Sequence, residues 1–331
     1  MSTARASKRG SEPVPGRDAR GLRHFLDIDQ LPAKTLRDIL DLSVAYKRGE
    51  TAPRGKRPAE GRTLAMVFEK PSTRTRVSFE VGMKQMGGFV TILNQIDSQL
   101  GRGETIADTA RVLSRYADAI MFRTLRESSL LEMATHATVP VVNGLTDKSH
   151  PCQIMADIMT FEETKGPIKG RTVAWVGDGN NVCTSWIHAA IHFGFQLRIA
   201  TPRALAPEAR LVVRAEAAGA DLVLLTDAYE AVKGADCVVT DTWLSMGHGV
   251  NTESALKAHI AQLEPYRVDD DLMAAAAKGA IFMHCLPASR EREVSAAVID
   301  GPQSVVWDEA ENRLHVQKAV MAALIGGEPL G

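Results

Sequence analysis

Short apolar runs, each followed by a longer amphipathic stretch, recur from Thr63 onward, and that alternation leaves few folds open. The runs are strand-length and bounded by Gly, Pro, Asn or Asp, while the stretches between them carry apolar residues at helical spacing. Strand alternating with helix is the pattern of βα units wound on a parallel sheet. The spacing predicts strands over residues 63–68, 89–93, 119–122 and 139–143, with helices over 33–47, 75–86, 106–116 and 127–135. The pattern then repeats, with strands over 172–176, 197–200, 222–224, 237–240, 281–284 and 304–306. The expected class is therefore α/β: two doubly wound parallel-sheet domains with an active site in the cleft between them.

At 331 residues the chain has room for roughly two domains of about 150 residues each. An apolar helix over residues 154–163, stopped by Lys165-Gly166-Pro167, marks the border between the halves. Residues 24–150 are read as the first domain and 151–310 as the second. A last helix over residues 311–325 has to dock on a domain to be stable, so residues 311–331 are expected to pack back on the first.

Charge and composition exclude several function classes. With 39 Lys and Arg against 40 Asp and Glu, the net charge of −1 gives no overall electrostatic grip on nucleic acid. No apolar run approaches the ~18 to 20 residues of a membrane span, so no membrane partner is expected. Cys152, Cys183, Cys237 and Cys285 are far apart with no C-x-x-C pair, which argues against a disulfide framework or zinc knuckle and for a reducing, cytoplasmic setting. Residues 1–23 carry six basic residues against Glu12 and Asp18, net +4. Pro13, Pro15, Gly10 and Gly16 break any amphipathic leader there, so this segment reads as a disordered tail.

Five blocks carry chemistry. Phe68-Glu69-Lys70-Pro71-Ser72-Thr73-Arg74-Thr75-Arg76 follows a strand and opens a helix. Its hydroxyls suit helix capping, but hydroxyls, free N–H groups and a guanidinium at the positive end of a helix also make an anion site. The G-x-x-x-x-G-K-[ST] spacing of a nucleotide triphosphate loop is absent. At the border, His150-Pro151-Cys152-Gln153 places Pro at the first helical position and leaves His150 and Gln153 near a helix N-terminus in the interdomain cleft. Val176-Gly177-Asp178-Gly179-Asn180-Asn181 turns from strand to helix, yet Gly177, Gly179 and Val182 do not complete G-x-G-x-x-G, which disfavours a nicotinamide-dependent dehydrogenase. Asp241, with Ser245-Met246-Gly247, and His284-Cys285-Leu286-Pro287 sit at two further strand ends, where open α/β sheets hold their ligands. Asp241 reads equally as a helix cap, and Cys285 equally as a small core residue. With Asn181 they would put a carboxylate, an amide, a hydroxyl and a thiol on one rim, suited to an amino acid.

Together with Ala310-Glu311-Asn312-Arg313, these blocks resemble the signature blocks of the ornithine carbamoyltransferases, in order and from about Phe25 to the C-terminus. Ser-Thr-Arg-Thr and His-Pro-x-Gln are shared with the aspartate branch; Ser-Met-Gly and His-Cys-Leu-Pro mark the ornithine branch. The resemblance implies carbamoyl phosphate on Ser72, Thr73, Arg74 and Thr75, joined by Arg123, His150, Gln153, Cys285, Leu286 and Arg313. It implies L-ornithine held by Asn181, Asp241, Ser245 and Met246. Arg74, Arg123, His150, Asp241 and Cys285 are then the catalytic set. Gln99 resembles a position that reaches into a neighbouring subunit, which implies a homotrimer, or a multiple of trimers, with shared active sites. The product would be L-citrulline, made without cofactor or metal for arginine biosynthesis or, in reverse, for its breakdown. Other acceptors, such as putrescine or acetylornithine, are the alternative within the family. A non-enzymatic binding protein on the same frame would have to lack catalytic groups, and none is missing.

Overall fold

The computed structural model describes residues 23–50, 57–244 and 252–326. Residues 1–22 of the tail read over 1–23, together with Ser245, Met246 and Gly247, lie outside the described residues. Arg23, assigned to that tail, donates from Nη2 to the Ala137 carbonyl at 3.0 Å.

In the first half, α1 (Ala33–Lys47) precedes a four-stranded sheet made of β1 (Thr63–Phe68), β2 (Phe89–Asn94), β3 (Ala119–Arg123) and β4 (Val141–Leu145). Connecting helices are α2 (Thr73–Gln85), α3 (Ile106–Tyr116) and α4 (Glu127–His136). The strands are parallel, in the order β2-β1-β3-β4. β1 and β3 are apolar and buried almost throughout because helices cover both faces; β2 lies at the edge, and its Phe89 is 63% exposed. Pro140 has no N–H for a ladder, so β4 starts at Val141 and not at Val139 as the apolar run predicts. The backbone of Phe25 then bridges to the outer side of β4, with Phe25 N–H on Val141 O at 2.9 Å and Asn143 N–H on Phe25 O at 2.8 Å.

Helix α5 (Pro151–Lys165) leads to the second half, and it is buried continuously from Pro151 to Phe161. There β5 (Thr172–Val176), α6 (Asn181–Phe193), β6 (Gln196–Ala200), α7 (Ala209–Ala217), β7 (Asp221–Leu225), α8 (Ala228–Val232) and β8 (Cys237–Thr240) follow in turn. Then come α9 (Glu253–Leu263), α10 (Asp270–Ala274), β9 (Ile281–His284), α11 (Ala296–Ile299) and α12 (Val306–Ile325). This sheet is also parallel, ordered β7-β6-β5-β8-β9. In each sheet the winding reverses beside the first strand, between β1 and β3 and between β5 and β8. Such reversals open a crevice at the carboxyl ends of the strands.

The strand predicted over residues 304–306 does not form. Ser304 makes a single bridge to Phe282, and Val306 already opens α12, whose first turn holds Asp308 and Glu309 at the positive end of the helix. The last helix thus begins at Val306, five positions earlier than the predicted Glu311. It packs on α1, α2 and α5, helices that flank the first sheet. Asn312 fixes that docking: Nδ2 donates to Thr160 Oγ1 and Glu163 Oε2, and Oδ1 accepts from Lys47 Nζ, each at 2.8 Å. One apolar cluster, from Phe25 through Trp175 and Trp186 to Met321, runs through both halves.

Candidate active site

The turn from β1 into α2 caps itself: Ser72 is the N-cap, and its Oγ accepts from Thr75 N–H at 3.4 Å. The helix starts at Thr73, two residues ahead of the predicted Thr75, which leaves Arg74 in its first turn on the cleft wall. Capping and ligand binding are therefore not alternatives here, since one hydroxyl caps while the arginine faces outward. Arg76 is exposed and does not line the cleft.

Thr75 is the buried joint of the site. Its Oγ1 accepts from Arg313 Nη2 at 2.8 Å and from Arg123 Nη1 at 3.3 Å, and Arg123 Nη1 also reaches the Gly144 carbonyl at 3.3 Å. A Cβ at Gly144 would run into Met121 Sδ and Arg123 Cβ, so only glycine lets β4 lie close enough to seat that arginine. Nε of Arg123, Nε of Arg313 and Nδ1 of His150 are buried with no hydrogen-bond partner. Among the described residues, none of Arg74, Arg123 and Arg313 is in an ion pair. Burial, followed by the charge of Arg313, lowers the Arg123 pKa to about 10, so it stays a cation at neutral pH. Burial and the neighbouring guanidiniums of Arg313, Arg123 and Arg74 push His150 well below the ordinary imidazole range, leaving a neutral ring. Clustered cations without counter-charge are costly in a protein interior, and an anion with several acceptor oxygens removes that cost.

Across the cleft, Asp241 stands at the end of β8. Its Oδ2 accepts from Asn180 Nδ2 at 2.8 Å, and its Oδ1 accepts from Cys285 Sγ at 3.0 Å. Burial and the Asp241 charge push the Cys285 thiol well up, so it serves as a proton donor and not as a thiolate nucleophile. Asn181 Nδ2 spans the crevice to the Thr146 carbonyl at 2.9 Å. Leu286 holds φ +56°, a left-handed conformation, with its N–H on His284 Nδ1 at 2.9 Å; strained backbone of this kind gathers at functional sites. Asp241, His284 and Cys285 bring potential ligand atoms within 4.8 Å of one another, but a hydrogen bond already joins Cys285 to Asp241.

Ser72, Thr73, Arg74, Arg123, His150, Asn181, Asp241, Cys285, Leu286 and Arg313 thus line one cleft of about 460 Å³, within the range of small-molecule sites. Three predicted residues do not: Thr75 is buried beneath the lining, and Gln153 and Gln99 lie apart from it. Gln153 is fully buried in the first turn of α5, just after His150, and Gln99 is exposed and lines a separate groove under β1 and β2. Sequence reasoning missed Asn180, whose Oδ1 caps α6 by accepting from Val182 N–H at 2.9 Å and Cys183 N–H at 3.1 Å. The signal was present: an Asn just ahead of a helical run is a preferred cap.

Residues 23–163 match the carbamoyl-P binding domain of aspartate/ornithine carbamoyltransferase, and residues 169–324 match its Asp/Orn binding domain. The chain belongs to the aspartate/ornithine carbamoyltransferase family. Within that family, ornithine carbamoyltransferase of Rhodopseudomonas palustris strain BisA53 is 58% identical over 311 residues, 92% of this chain and 97% of that protein. The structure of ornithine carbamoyltransferase from Pyrococcus furiosus is 48% identical with a TM-score of 0.84, covering 92% of this chain and 98% of that one. The anabolic ornithine carbamoyltransferase from Campylobacter jejuni superposes with a TM-score of 0.84 at 35% identity, over 92% of this chain and 99% of the other. The first of the two family matches ends at residue 163, inside α5, and the second begins at residue 169, just beyond that helix.

Proposed function

We propose that this chain transfers the carbamoyl group of carbamoyl phosphate to the δ-amine of L-ornithine, giving L-citrulline and phosphate. One observation carries the reading: Arg74, Arg123 and Arg313 converge on the N-terminus of α2 and face the Asp241–Cys285 pair across a single cleft. The guanidiniums, with Ser72, Thr73 and Thr75, suit a phosphate dianion, and the first sheet would hold it. The carboxylate of Asp241, with Asn181, suits an ammonium-bearing amino acid on the second sheet, where Ser245 and Met246 would complete its site.

The chemistry follows from these charges. The neutral amine attacks the carbamoyl carbon, a C–N bond forms, and the tetrahedral intermediate expels phosphate as the C–O bond breaks. Arg74, Thr75 and neutral His150 donate to the oxyanion as it develops; Arg74, Arg123 and Arg313 take up the charge of the leaving phosphate. A free alkylamine has a pKa of ~10.4, so the site has to favour its neutral form, and Asp241 and Cys285 orient it. His150, ringed by cations, is a poor base, and Cys285 is already protonated. The departing phosphate is the strongest proton acceptor left in the cleft.

We place the reaction in the cytoplasm, as a step of arginine biosynthesis. All four cysteines are free thiols, which suits a reducing compartment. No helix among the described residues is long and apolar enough to cross a membrane. We also propose a homotrimer or a multiple of trimers. The groove that Gln99 lines, about 580 Å³ with Leu93, Leu100 and Val112 in its walls, is flanked by Tyr116 at 78% exposure, and a second copy would cover it. Citrulline formation measured in parallel with ornithine, acetylornithine, putrescine and aspartate tests the function. Turnover with ornithine should exceed the others by orders of magnitude, and a preference for any other acceptor overturns the assignment.

A further inference from the structure

Asp157 on α5 and Glu309 in the first turn of α12 are each 1% exposed, and neither lines the cleft. Among the described residues neither is in an ion pair. Both meet one group instead: Gln153 Nε2 donates to Asp157 Oδ1 and to Glu309 Oε1, each at 2.8 Å. The second oxygen of Glu309 accepts from the His284 backbone N–H at 2.9 Å, at the start of the segment that carries Cys285 and Leu286 into the cleft.

An amide nitrogen has two hydrogens, and both are taken. The Gln153 oxygen is thereby fixed on the opposite side, and it is buried with no hydrogen-bond partner. A carbamoyl group offers a carbonyl oxygen, which accepts, and an NH₂, which donates. Arg74, Thr75 and His150 answer the first need. Only an acceptor answers the second, and a buried acceptor left unpaired is costly until a donor arrives.

We propose that Asp157 and Glu309 are positioning residues for the transfer: together they hold the Gln153 amide with its oxygen free for the carbamoyl NH₂, and Glu309 ties segment 284–287 to the same anchor. This inference rests on the carbamoyl phosphate reading of the cleft. The two carboxyls are themselves hydrogen-bonded. Burial pushes Asp157 up, and burial together with the Asp157 charge pushes Glu309 up, so the pair resists carrying two negative charges. Replacing a buried polar pair of this kind by apolar residues is often neutral or stabilising, so packing of α5 on α12 does not by itself call for acids here.

The test compares the dissociation constants of carbamoyl phosphate and inorganic phosphate, which shares the arginine contacts but lacks the NH₂. Glu309→Gln sets an amide N–H against another N–H donor, and Asp157→Ala removes an acceptor. Each should weaken carbamoyl phosphate about tenfold, while inorganic phosphate changes by less than about twofold. Asp157→Asn accepts from Gln153 through Oδ1 and donates to Glu309 through Nδ2, so affinity should stay within about threefold of the parent. In a Gln153→Ala background the Glu309 or Asp157 change should add less than about twofold, since the group they act through is gone. Equal weakening of both ligands, or unchanged carbamoyl phosphate affinity, overturns the proposal. Should Glu309→Gln not fold, Asp157→Ala and its cycle with Gln153→Ala decide alone. Failure of the parent enzyme to bind carbamoyl phosphate would instead overturn the reading of the cleft.

Discussion

Arg313 Nη2 donates to Thr75 Oγ1 at 2.8 Å, joining the last helix of the chain to the first turn of α2 across 238 positions of sequence. The contact satisfies one donor of a buried guanidinium whose charge has no partner among the described residues. The free protein therefore tolerates Arg313 at some cost to stability. Arg313→Met should keep or raise the melting temperature of the ligand-free protein while lowering kcat/KM by about 10²- to 10³-fold. It should also shrink the thermal shift given by phosphate, which for the parent at 100 times Kd is worth about 2.7 kcal/mol. Scanning calorimetry with and without phosphate checks both; an undiminished shift would remove Arg313 from the anion site.

Asp241 and Asn180 should divide their effects. Asp241→Asn removes the charge set aside for an ammonium, so the ornithine KM should rise at least about tenfold with carbamoyl phosphate binding nearly unchanged. Asn180→Ala should also cost ~1 kcal/mol in denaturant unfolding, because it strips the α6 cap. Equal loss of affinity for both substrates in Asp241→Asn would place the carboxylate in the phosphate half.

Stability in acid should depend on His24. Its Nδ1 accepts from Val141 N–H at 3.0 Å, and burial, aided by the charge of Arg23, lowers its pKa from 6.5 to about 4. The folded state thus favours the neutral ring. The contribution is whole above pH 6.5 and declines as pH falls through 4, because the unfolded chain binds the proton first. His24→Gln keeps an acceptor for Val141 without the titration, so its urea midpoint should fall less steeply between pH 6.5 and 4. Identical slopes in parent and variant would discount His24.

Assembly has its own test. Arg74→Gly and a Gln99-loop variant should each be nearly inactive, yet hybrids reassembled after mild dissociation should exceed either parent, since some composite sites regain both groups. Mixed trimers confirmed by mass but active only at the parental level would put the site within one chain.

Most of this architecture was legible because covered parallel strands read as unbroken apolar runs; 63–68, 172–176, 237–240 and 281–284 match their strands residue for residue. Errors arose where local signals competed. Ser304, Val305 and Val306 look like a strand, but the acids at 308 and 309 favour a helix start. The cleft lining was readable from motifs because strand ends and helix starts announce themselves. Asp157 and Glu309 were not, since their role depends on a meeting of α5 with α12 that no local pattern encodes, although a carboxylate inside an apolar helix is itself an anomaly.

The placement of α12 also sets an order of manufacture. Both sheets and their crossovers are complete before residue 306, and the helix that follows carries Glu309, Asn312 and Arg313 back to the first half. A nascent chain can therefore assemble two sheets on the ribosome, yet Arg313 reaches Thr75 only once the last helix has emerged. A translation product that stops at residue 305 lacks Arg313, and without Val316, Val320 and Met321 it also loses part of the apolar cluster shared by both halves. The first and last thirds of the chain thus meet late in synthesis, a timing imposed by where a single arginine was placed.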